Sequence, residues 1–184
     1  MLSVVSSAVP QHDFSSIQFT FPKSIADKVI QWGKEHIPDD DIAPNPHSGK
    51  DGREDHIHVT VKFGLHTADP KEVEEIVKDF GLFTLTLDEM SIFSSDEYDV
   101  LKIDVKSDKL HELNKLISDK LECTDTHPEY IPHVTIAYVK KGKADDLVGS
   151  EDFKGQAVTV SSIEFRGRGE NKTSISIKKT SAVT

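Results

Sequence analysis

The sequence HVTVKF at residues 58–63 is the most informative part of the chain, because a closely similar sequence, HVTIAY, occurs at residues 133–138. Both follow the pattern His, Val, Thr, β-branched, any residue, aromatic. The composition predicts roughly 0.05 His-Val-Thr triplets in a shuffled chain, so two would occur by chance on the order of once in a thousand chains. Each stretch also follows strand-like, helix-like and loop-like segments in the same order, which indicates a duplicated unit.

The alternation within each stretch predicts a strand with two unlike faces. Successive side chains of a strand point to opposite sides, so His58 and Thr60 share one face, and His133 and Thr135 do the same in the second copy. If the two halves pack about a pseudo-twofold axis, these four side chains face each other. An ordinary one-sided sheet also carries polar residues on its wet face, but the matched pair of motifs favours function.

Two imidazoles with two hydroxyls suit phosphodiester chemistry. One histidine can remove a proton from an attacking hydroxyl while the other delivers a proton to the leaving oxygen. An unperturbed imidazole pKa near 6.5 allows one ring to be neutral and the other charged close to neutral pH. The threonines would hold the non-bridging phosphate oxygens. Attack by a ribose 2′-hydroxyl fits this arrangement, because the nucleophile is then part of the substrate and needs only deprotonation.

Hydrophobic patterning elsewhere predicts an α+β chain in which strands alternate with three amphipathic helices. The predicted strands occupy residues 17–21, 56–63, 83–93, 98–105, 131–139, 157–166 and 173–179. The predicted helices begin near Ser24, Pro70 and Asp108, the last of these capped by Asp108 itself. The final two strands are predicted to form a closing hairpin around residues 167–171.

The segment between the first helix and the first motif has a different composition. Residues 38–55 are charged, contain several prolines and have almost no apolar side chain, which predicts a long mobile loop. Within the motif strands, Phe63 and Tyr138 share the alternation of the apolar residues and are expected in the core.

With 184 residues, 36% hydrophobic and 29% charged side chains, the chain is predicted to form one soluble domain. We place it at residues 16–180, with an N-terminal extension at 1–15 and a tail at 181–184. The formal charge of −10 disfavours binding of a DNA duplex. The single cysteine, Cys123, excludes a disulfide framework and a Cys-rich zinc module. With no membrane-spanning apolar run and no secretory signal, a cytoplasmic protein is expected.

On the motifs His58-x-Thr60 and His133-x-Thr135, the chain resembles the 2H phosphoesterase superfamily, which includes 2′-5′ RNA ligase-like proteins, RNA cyclic phosphodiesterases and phage nucleases. The resemblance spans about residues 17–177. It implies a bilobal, duplicated α+β fold in which two antiparallel sheets with flanking helices surround a central cleft. It also implies catalysis without a metal or other cofactor, with the two histidines as acid and base and the two threonines binding the phosphate.

Residues 52–66 and 130–138 are most similar to the phage-associated branch of that superfamily. This branch includes the anti-CBASS nucleases, which destroy cyclic oligonucleotide alarm signals. The resemblance therefore implies a phosphodiesterase that opens the 3′-5′ bonds of cyclic di- or trinucleotides. An acidic chain fits such a substrate, which carries only two or three phosphates and needs no extended basic track. We expect a monomer that acts on a cyclic oligonucleotide or short RNA, in the host cytoplasm if the protein is viral.

Other functions are compatible with the same motifs. The residues could open a 2′,3′-cyclic phosphate of RNA or act on 2′-5′ linkages, because only the pocket walls choose the leaving oxygen. A nucleotide-binding module that sequesters a signal without turnover would keep the same cleft. His56 and His58 also have a spacing that strands use for metal ligands, but further ligands are not evident and the second motif would be left unexplained.

Six further residues are candidate substrate contacts, and each could equally be an ordinary structural or surface residue. They are Arg53, His56, Lys62, Glu164, Arg166 and Arg168. The two on the first motif strand share the predicted face of its histidine and threonine. Near the closing turn, Arg166 and Arg168 could grip a phosphate or stack on a base. Glu164 could accept hydrogen bonds from a base amino group. Arg53 lies with His47 and Lys50 in the 38–55 loop, which could close over a nucleotide as a lid.

Overall fold

The protein is described by a computed structural model, which covers residues 14–169 and 171–179. The strands are β1 (Ser15–Thr20), β2 (His58–Leu65), β3 (Phe83–Ser94), β4 (Tyr98–Lys106), β5 (His133–Lys140), β6 (Ala157–Val160), β7 (Ser162–Arg166) and β8 (Lys172–Ser176). The helices are α1 (Lys23–His36), α2 (Pro70–Val77) and α3 (Asp108–Lys120). None of the helices in the described residues is long and apolar enough to cross a membrane.

The ends of the predicted domain fall largely outside this description. Of the predicted N-terminal extension at 1–15, only Phe14 and Ser15 are described, and β1 begins at Ser15. The predicted tail at 181–184 lies outside the described residues.

The helix starts follow local capping chemistry. Before α2, the Asp69 side chain accepts a hydrogen bond from the Lys71 amide, and Pro70 occupies the first turn where its missing N–H is not needed. Before α3, the cap is Ser107, whose hydroxyl accepts from the Leu110 amide. The predicted cap, Asp108, is instead the first helical residue, where its charge favours the helix N-terminus.

All strands belong to one antiparallel sheet, in the order β6-β3-β4-β5-β2-β1-β7-β8. The prediction of two separate sheets was therefore wrong, because β2 pairs with β5 at Val59 and Val134 and so joins the two halves. The predicted strand 157–166 is also two strands, which pair with β3 and β1 in different halves. Since only Ser161 separates β6 from β7, the sheet curls strongly and its two ends approach each other.

The element order predicted around each motif is present in the structure. The first motif strand follows β1 and α1, the second follows β4 and α3, and the two motif strands lie side by side at the centre of the sheet. This repeated order accounts for the sequence repeat, while a duplication of whole lobes stays a prediction.

The helices cover the apolar face of the sheet. Helix α1 packs against β5, α3 against β2 and β3, and α2 against β8. Val59 and Val134 on the motif strands are buried in this core together with Leu113 and Ile117 of α3. Burying these apolar side chains on one face leaves the motif histidines and threonines half-buried on the other, away from the helices.

The 38–55 segment is anchored to the sheet, so the prediction of a mobile loop was wrong. The Ala43 amide donates to the Tyr138 carbonyl at 3.0 Å, and the Tyr138 amide donates to the Gly52 carbonyl at 2.8 Å. The segment thereby pairs with β5 beyond the point where β5 separates from β2. Its few apolar residues, Ile42 and Ala43, pack on the protein despite the charged composition around them.

A matching contact protects the first motif strand. The Thr124 amide donates to the Gly64 carbonyl at 2.8 Å, and the His66 amide donates to the Glu122 carbonyl at 3.1 Å. We call residues 42–54 and 122–124 the crossed loops, because each precedes one motif strand and pairs with the other. They satisfy backbone groups that the splayed strands β2 and β5 would otherwise leave open.

Candidate active site

The two motifs meet where the central strands touch. Val59 lies opposite Val134 in antiparallel register. Continuing this register by one residue in each direction sets the histidine of one motif across from the threonine of the other. The facing pairs are His58 with Thr135 and Thr60 with His133. Side chains opposite each other in such a ladder have Cβ atoms about 4.5–5.5 Å apart, so the sequence-predicted tetrad forms one compact group.

A β-bulge follows the threonine of each motif. In the pairing of β2 with β1 the extra residue is Val61, and in the pairing of β5 with β4 it is Ile136. Both residues come directly after the motif threonine, so the two copies share the irregularity as well as the sequence. A bulge reverses the alternation of the residues after it and increases the local twist, which is how the strands separate beyond the tetrad.

The bulges overturn three expectations based on strict alternation. Lys62 does not share the exposed face of the tetrad: it is buried, with 6% of its surface exposed, and forms an ion pair with Asp125. Phe63 and Tyr138 are half-buried rather than part of the core. Lys62 therefore links β2 to the loop before β5 instead of facing a substrate at the tetrad.

Each motif histidine is oriented by a backbone carbonyl two residues earlier. His58 Nδ1 lies 2.7 Å from the His56 carbonyl oxygen, and His133 Nδ1 lies 2.7 Å from the Ile131 carbonyl oxygen. A carbonyl only accepts hydrogen bonds, so Nδ1 must carry the proton in both rings. In the neutral form each ring therefore presents a bare Nε2, which is the atom that can accept a proton.

The reactive groups of the tetrad are available to a ligand. Among the described residues, neither Nε2 of His58 and His133 nor the hydroxyls of Thr60 and Thr135 has a hydrogen-bond partner. Buried side-chain N and O atoms of the described residues all have partners, so these four unpaired groups are open to solvent. Two unpaired ring nitrogens and two unpaired hydroxyls thus converge on one site.

Charged and aromatic side chains surround the second motif. The Phe93 ring meets His133 edge to face, with centroids 4.9 Å apart at 86°. Lys102 Nζ lies 4.3 Å from the centroid of the same Phe93 ring and donates to Ser91 Oγ at 2.5 Å and Asp104 Oδ1 at 2.6 Å. Lys102 lies opposite Thr135 in the β4–β5 pairing.

Burial is the largest influence on His133 and lowers its pKa below the ordinary value. The hydrogen bond to the Ile131 carbonyl opposes this shift, whereas the charges of Lys102 and His58 add to it and Asp104 counteracts them. His133 is therefore biased towards the neutral form that can act as a base.

A polar cluster surrounds His56 beside the first motif. His56 Nε2 accepts hydrogen bonds from Gln18 Nε2 at 2.8 Å and from the Arg166 guanidinium at 3.3 Å, and the Thr20 hydroxyl lies 3.2 Å away. Arg166 Nε in turn donates to Glu164 Oε1 at 2.9 Å. Burial, followed by the charge of Arg166, lowers the pKa of His56. Three of the sequence-predicted contacts thus come together within reach of His58, whose ring centroid is 5.4 Å from that of His56.

The residues around His56 do not fit a metal centre. Its Nε2 lone pair is directed at the Gln18 and Arg166 donors, and the arginine is itself a cation. No group of three or more His, Cys, Asp or Glu side chains within residues 14–169 and 171–179 has an arrangement that could hold a metal ion.

Two other predicted contacts lie away from the tetrad. The Arg53 guanidinium donates to the carbonyls of Gly33 and Ile37 at 3.0 and 2.6 Å, so it stabilises the C-terminus of α1. Exposed Arg168 donates to the His66 carbonyl at 3.4 Å. His66 lies beyond the far end of β2, roughly 25 Å along the strand from His58. Neither guanidinium is brought to the motif histidines.

Sequence reasoning missed the residues that the neighbouring strands contribute. Gln18 and Thr20 lie on β1 opposite the first motif, and Lys102 lies on β4 opposite the second. Lys102 and Gln18 are only 4% exposed, which is unusual for such polar side chains. In the sequence each occupies the polar position of an ordinary alternating strand, so only the strand pairing distinguishes them.

The lowered pKa values predict a pH-dependent stability. In the unfolded chain, His56 and His133 become protonated as the pH falls below about 6.5, whereas in the folded protein their pKa values are lower and they stay neutral. The free energy of unfolding therefore decreases as the pH drops from about 6.5 towards the lowered pKa values. Urea unfolding between pH 7.5 and 5.5 measures this slope. His56→Gln, which retains a polar acceptor, should make the slope shallower. An unchanged slope in that variant would contradict a contribution from His56.

Comparison with known proteins matches the chain to one family profile and to several solved structures. The sequence profile of the 2′-5′ RNA ligase superfamily matches residues 47–171. The structure of TT0787 of Thermus thermophilus has a TM-score of 0.63 at 12% identity, covering 90% of this chain and 98% of that one. A structure described as a phosphoesterase has a TM-score of 0.61 at 15% identity, covering 90% and 96%. Apo LigT of E. coli has a TM-score of 0.59 at 16% identity, covering 90% and 95%.

At sequence identities of 12 to 16%, these structural matches show only that the fold is shared. LigT has also been solved in complexes with phosphate and with 3′-AMP. No curated protein sequence matches this chain.

Proposed function

This chain belongs to the 2′-5′ RNA ligase superfamily, and from that premise we propose that it is a phosphodiesterase in which His58 and His133 are the acid and base. The observation that carries the proposal is the tetrad around the Val59–Val134 pair, with both histidines held by Nδ1 and open at Nε2. One neutral Nε2 takes the proton from an attacking hydroxyl, and the other ring, protonated, gives its proton to the leaving oxygen.

Thr60 and Thr135 bind the non-bridging oxygens of the phosphate between the two rings. Their hydroxyls lie on the same face as the imidazoles and donate hydrogen bonds that strengthen as charge develops in the transition state. Because all four side chains come from one chain, we propose that a monomer is competent. The reaction needs no metal, since the two imidazoles supply both proton transfers.

The substrate we propose is a cyclic di- or trinucleotide, cleaved at a 3′-5′ phosphodiester by its own adjacent 2′-hydroxyl. The formal charge of −10 disfavours long polyanions, whereas a small ring presents few phosphates. The tetrad is flanked by Phe93 on one side and by the His56, Glu164 and Arg166 cluster on the other. These flanks offer stacking and hydrogen bonds to the nucleosides on either side of one phosphate. Such an activity would suit a viral protein that removes a host alarm signal of the CBASS type.

The test is a turnover assay in the presence of a chelator. The substrates are cyclic di- and trinucleotides, 2′-5′-linked oligoadenylate and 2′,3′-cyclic nucleotides. We expect linearisation of the cyclic oligonucleotides, with a 2′,3′-cyclic phosphate end as the first product. The matched control is the 2′-deoxy analogue of the same cyclic dinucleotide, which lacks the nucleophile and should not react.

Other outcomes would point to other functions. Turnover of 2′,3′-cyclic ends or 2′-5′ links alone would retain the site but make the protein an RNA-processing phosphodiesterase. Cleavage of the 2′-deoxy analogue would contradict attack by the ribose hydroxyl, and loss of turnover with chelator would contradict the metal-free reaction. Tight binding without turnover of any substrate would identify a nucleotide-sequestering protein.

A further inference from the structure

The two sides of the tetrad carry different charges. Gln18 and Thr20 of β1 lie opposite Thr60 and His58, so the residues directly paired with the first motif are neutral. At the corresponding positions of β4, Lys102 and Asp104 lie opposite Thr135 and His133, so the side chains next to the second motif are charged. Glu164 and Arg166 form an ion pair one strand further out, on β7, so only the second motif has an ion pair on the strand directly paired with it.

Lys102 is held firmly on the second side. It is 4% exposed, its Nζ donates to Ser91 at 2.5 Å and Asp104 at 2.6 Å, and it lies 4.3 Å from the centre of the Phe93 ring. The same ring contacts His133 at 4.9 Å. Burying a lysine is unfavourable unless it is well paired, and Ser91, Asp104 and the Phe93 ring hold the charge of Lys102 on the face that carries the tetrad.

On the basis of the proposed phosphodiesterase function, we propose that Lys102 is a positioning residue that makes the site directional: it keeps His133 neutral as the base and leaves His58 to be the acid. Lys102 acts through His133 and Phe93 and does not itself transfer a proton. The sequence motif leaves open which histidine is the acid and which is the base, because both copies are alike.

The charged groups around His133 support this assignment. Burial is the main cause that lowers the pKa of His133; Lys102 from β4 and His58 from β2 add to it, whereas the Ile131 carbonyl and Asp104 oppose it. Near His58, burial raises the pKa of Glu54, and the backbone hydrogen bond of His56 and the charge of His58 oppose that shift. The charge of Lys102 opposes a protonated His133.

The reaction then has a defined direction. His133 Nε2 takes the proton of the 2′-hydroxyl as O2′ bonds to phosphorus, and the phosphorus–O5′ bond breaks as His58 Nε2 gives its proton to O5′. The products are a 2′,3′-cyclic phosphate and a 5′-hydroxyl, with His133 protonated and His58 neutral. Exchange of one proton through solvent restores the starting state. The nucleoside with the attacking hydroxyl consequently lies on the β4 side of the tetrad and the leaving nucleoside on the β1 side.

A leaving-group substitution tests the assignment without altering Lys102. A substrate with sulfur in place of the bridging O5′ has a leaving thiolate that needs no acid. We expect His58→Ala, which should lose about 10²- to 10⁴-fold on the oxygen substrate, to recover most of that loss on the sulfur substrate. His133→Ala should recover little, because its base is still missing. Recovery of His133→Ala rather than His58→Ala would overturn the proposal.

The role of Lys102 is tested by measuring the cleavage rate of the sulfur substrate against pH for the wild type and the variants. On this substrate the fall in rate at low pH, the acidic limb of the profile, is set by the base alone. Lys102→Met should move this limb to higher pH, and Lys102→Arg should restore it. Asp104→Asn, which leaves the lysine charge less compensated, should move it to lower pH. Lys106→Met, at a lysine of the same strand with a 72% exposed side chain, is the charge-matched control and should not move it.

These results separate the inference from the function on which it rests. The role of Lys102 would be refuted, even in an active enzyme, if the acidic limb stayed in place in both Lys102→Met and Asp104→Asn. It would also be refuted if the limb moved equally in Lys106→Met. Opposite shifts in the Lys102 and Asp104 variants would support it, since a purely structural role would change the rate without reversing the shift. Absence of wild-type turnover on every substrate would instead refute the proposed phosphodiesterase.

Discussion

Replacing His133 by alanine is expected to lower kcat/KM for the cleaved substrate by about 10²- to 10⁴-fold, and His58→Ala should have an effect of similar size. Each substitution removes an open Nε2, held in place by the ring's Nδ1 hydrogen bond, that the proposed mechanism uses for proton transfer. The double variant is expected to be little worse than either single one, because both rings act in the same step and their effects are not additive. Steady-state kinetics of the wild type and the three variants provide the measurement.

The matched control is His111→Ala, which removes an exposed histidine from α3 on the helical side of the sheet. It should keep wild-type kinetics. Melting temperatures should accompany the kinetics, so that lost activity is not mistaken for lost folding. A folded His58→Ala or His133→Ala protein that keeps more than about a tenth of the wild-type rate would contradict the acid–base assignment.

Gly64→Ala is expected to destabilise the protein by about 3 kcal/mol, the largest effect on stability that we predict for a single methyl group. Gly64 has φ +81°, and an added Cβ would meet the Thr124 carbonyl oxygen at 2.2 Å. The Thr124 amide donates to the Gly64 carbonyl at this contact. The methyl group would therefore separate the second crossed loop from β2 as well as strain the backbone. For a chain of this size we expect Tm to fall by about 6 to 12 °C.

Gly155→Ala distinguishes the two contributions. Gly155 has a similar φ of +88°, but nothing lies within 4 Å of its added Cβ. Only the backbone strain of about 1–2 kcal/mol should be seen there. Equal losses of stability in the two variants would show that the contact between the crossed loop and β2 contributes nothing.

Much of the local structure around the site was predictable. The strand predicted at 56–63 is β2, which begins at His58, and the helix predicted from Pro70 begins there. These predictions succeeded because strand alternation, helical spacing and end caps are properties of neighbouring residues. The pairing of each histidine with a threonine on one face followed from the same period of two.

The features that shape the site beyond the motifs were not predictable in this way. Val61 and Ile136 are β-branched residues like any others in a strand, and they become bulges only in register with β1 and β4. Because the bulges reverse the alternation, the expected face of Lys62 was wrong. The 38–55 segment looked mobile because its anchoring relies on backbone hydrogen bonds to β5, which composition does not record.

The order of residues in the two motifs is enough to place an imidazole and a hydroxyl on one face of each strand and valine on the buried face, because side-chain alternation is fixed by the extended backbone. The meeting of these faces at Val59 and Val134, and the position of a buried lysine beside one histidine and not the other, depend on the folded sheet. Pairings between residues far apart in the chain depend on how the whole sheet curls and packs, and no local pattern specifies them.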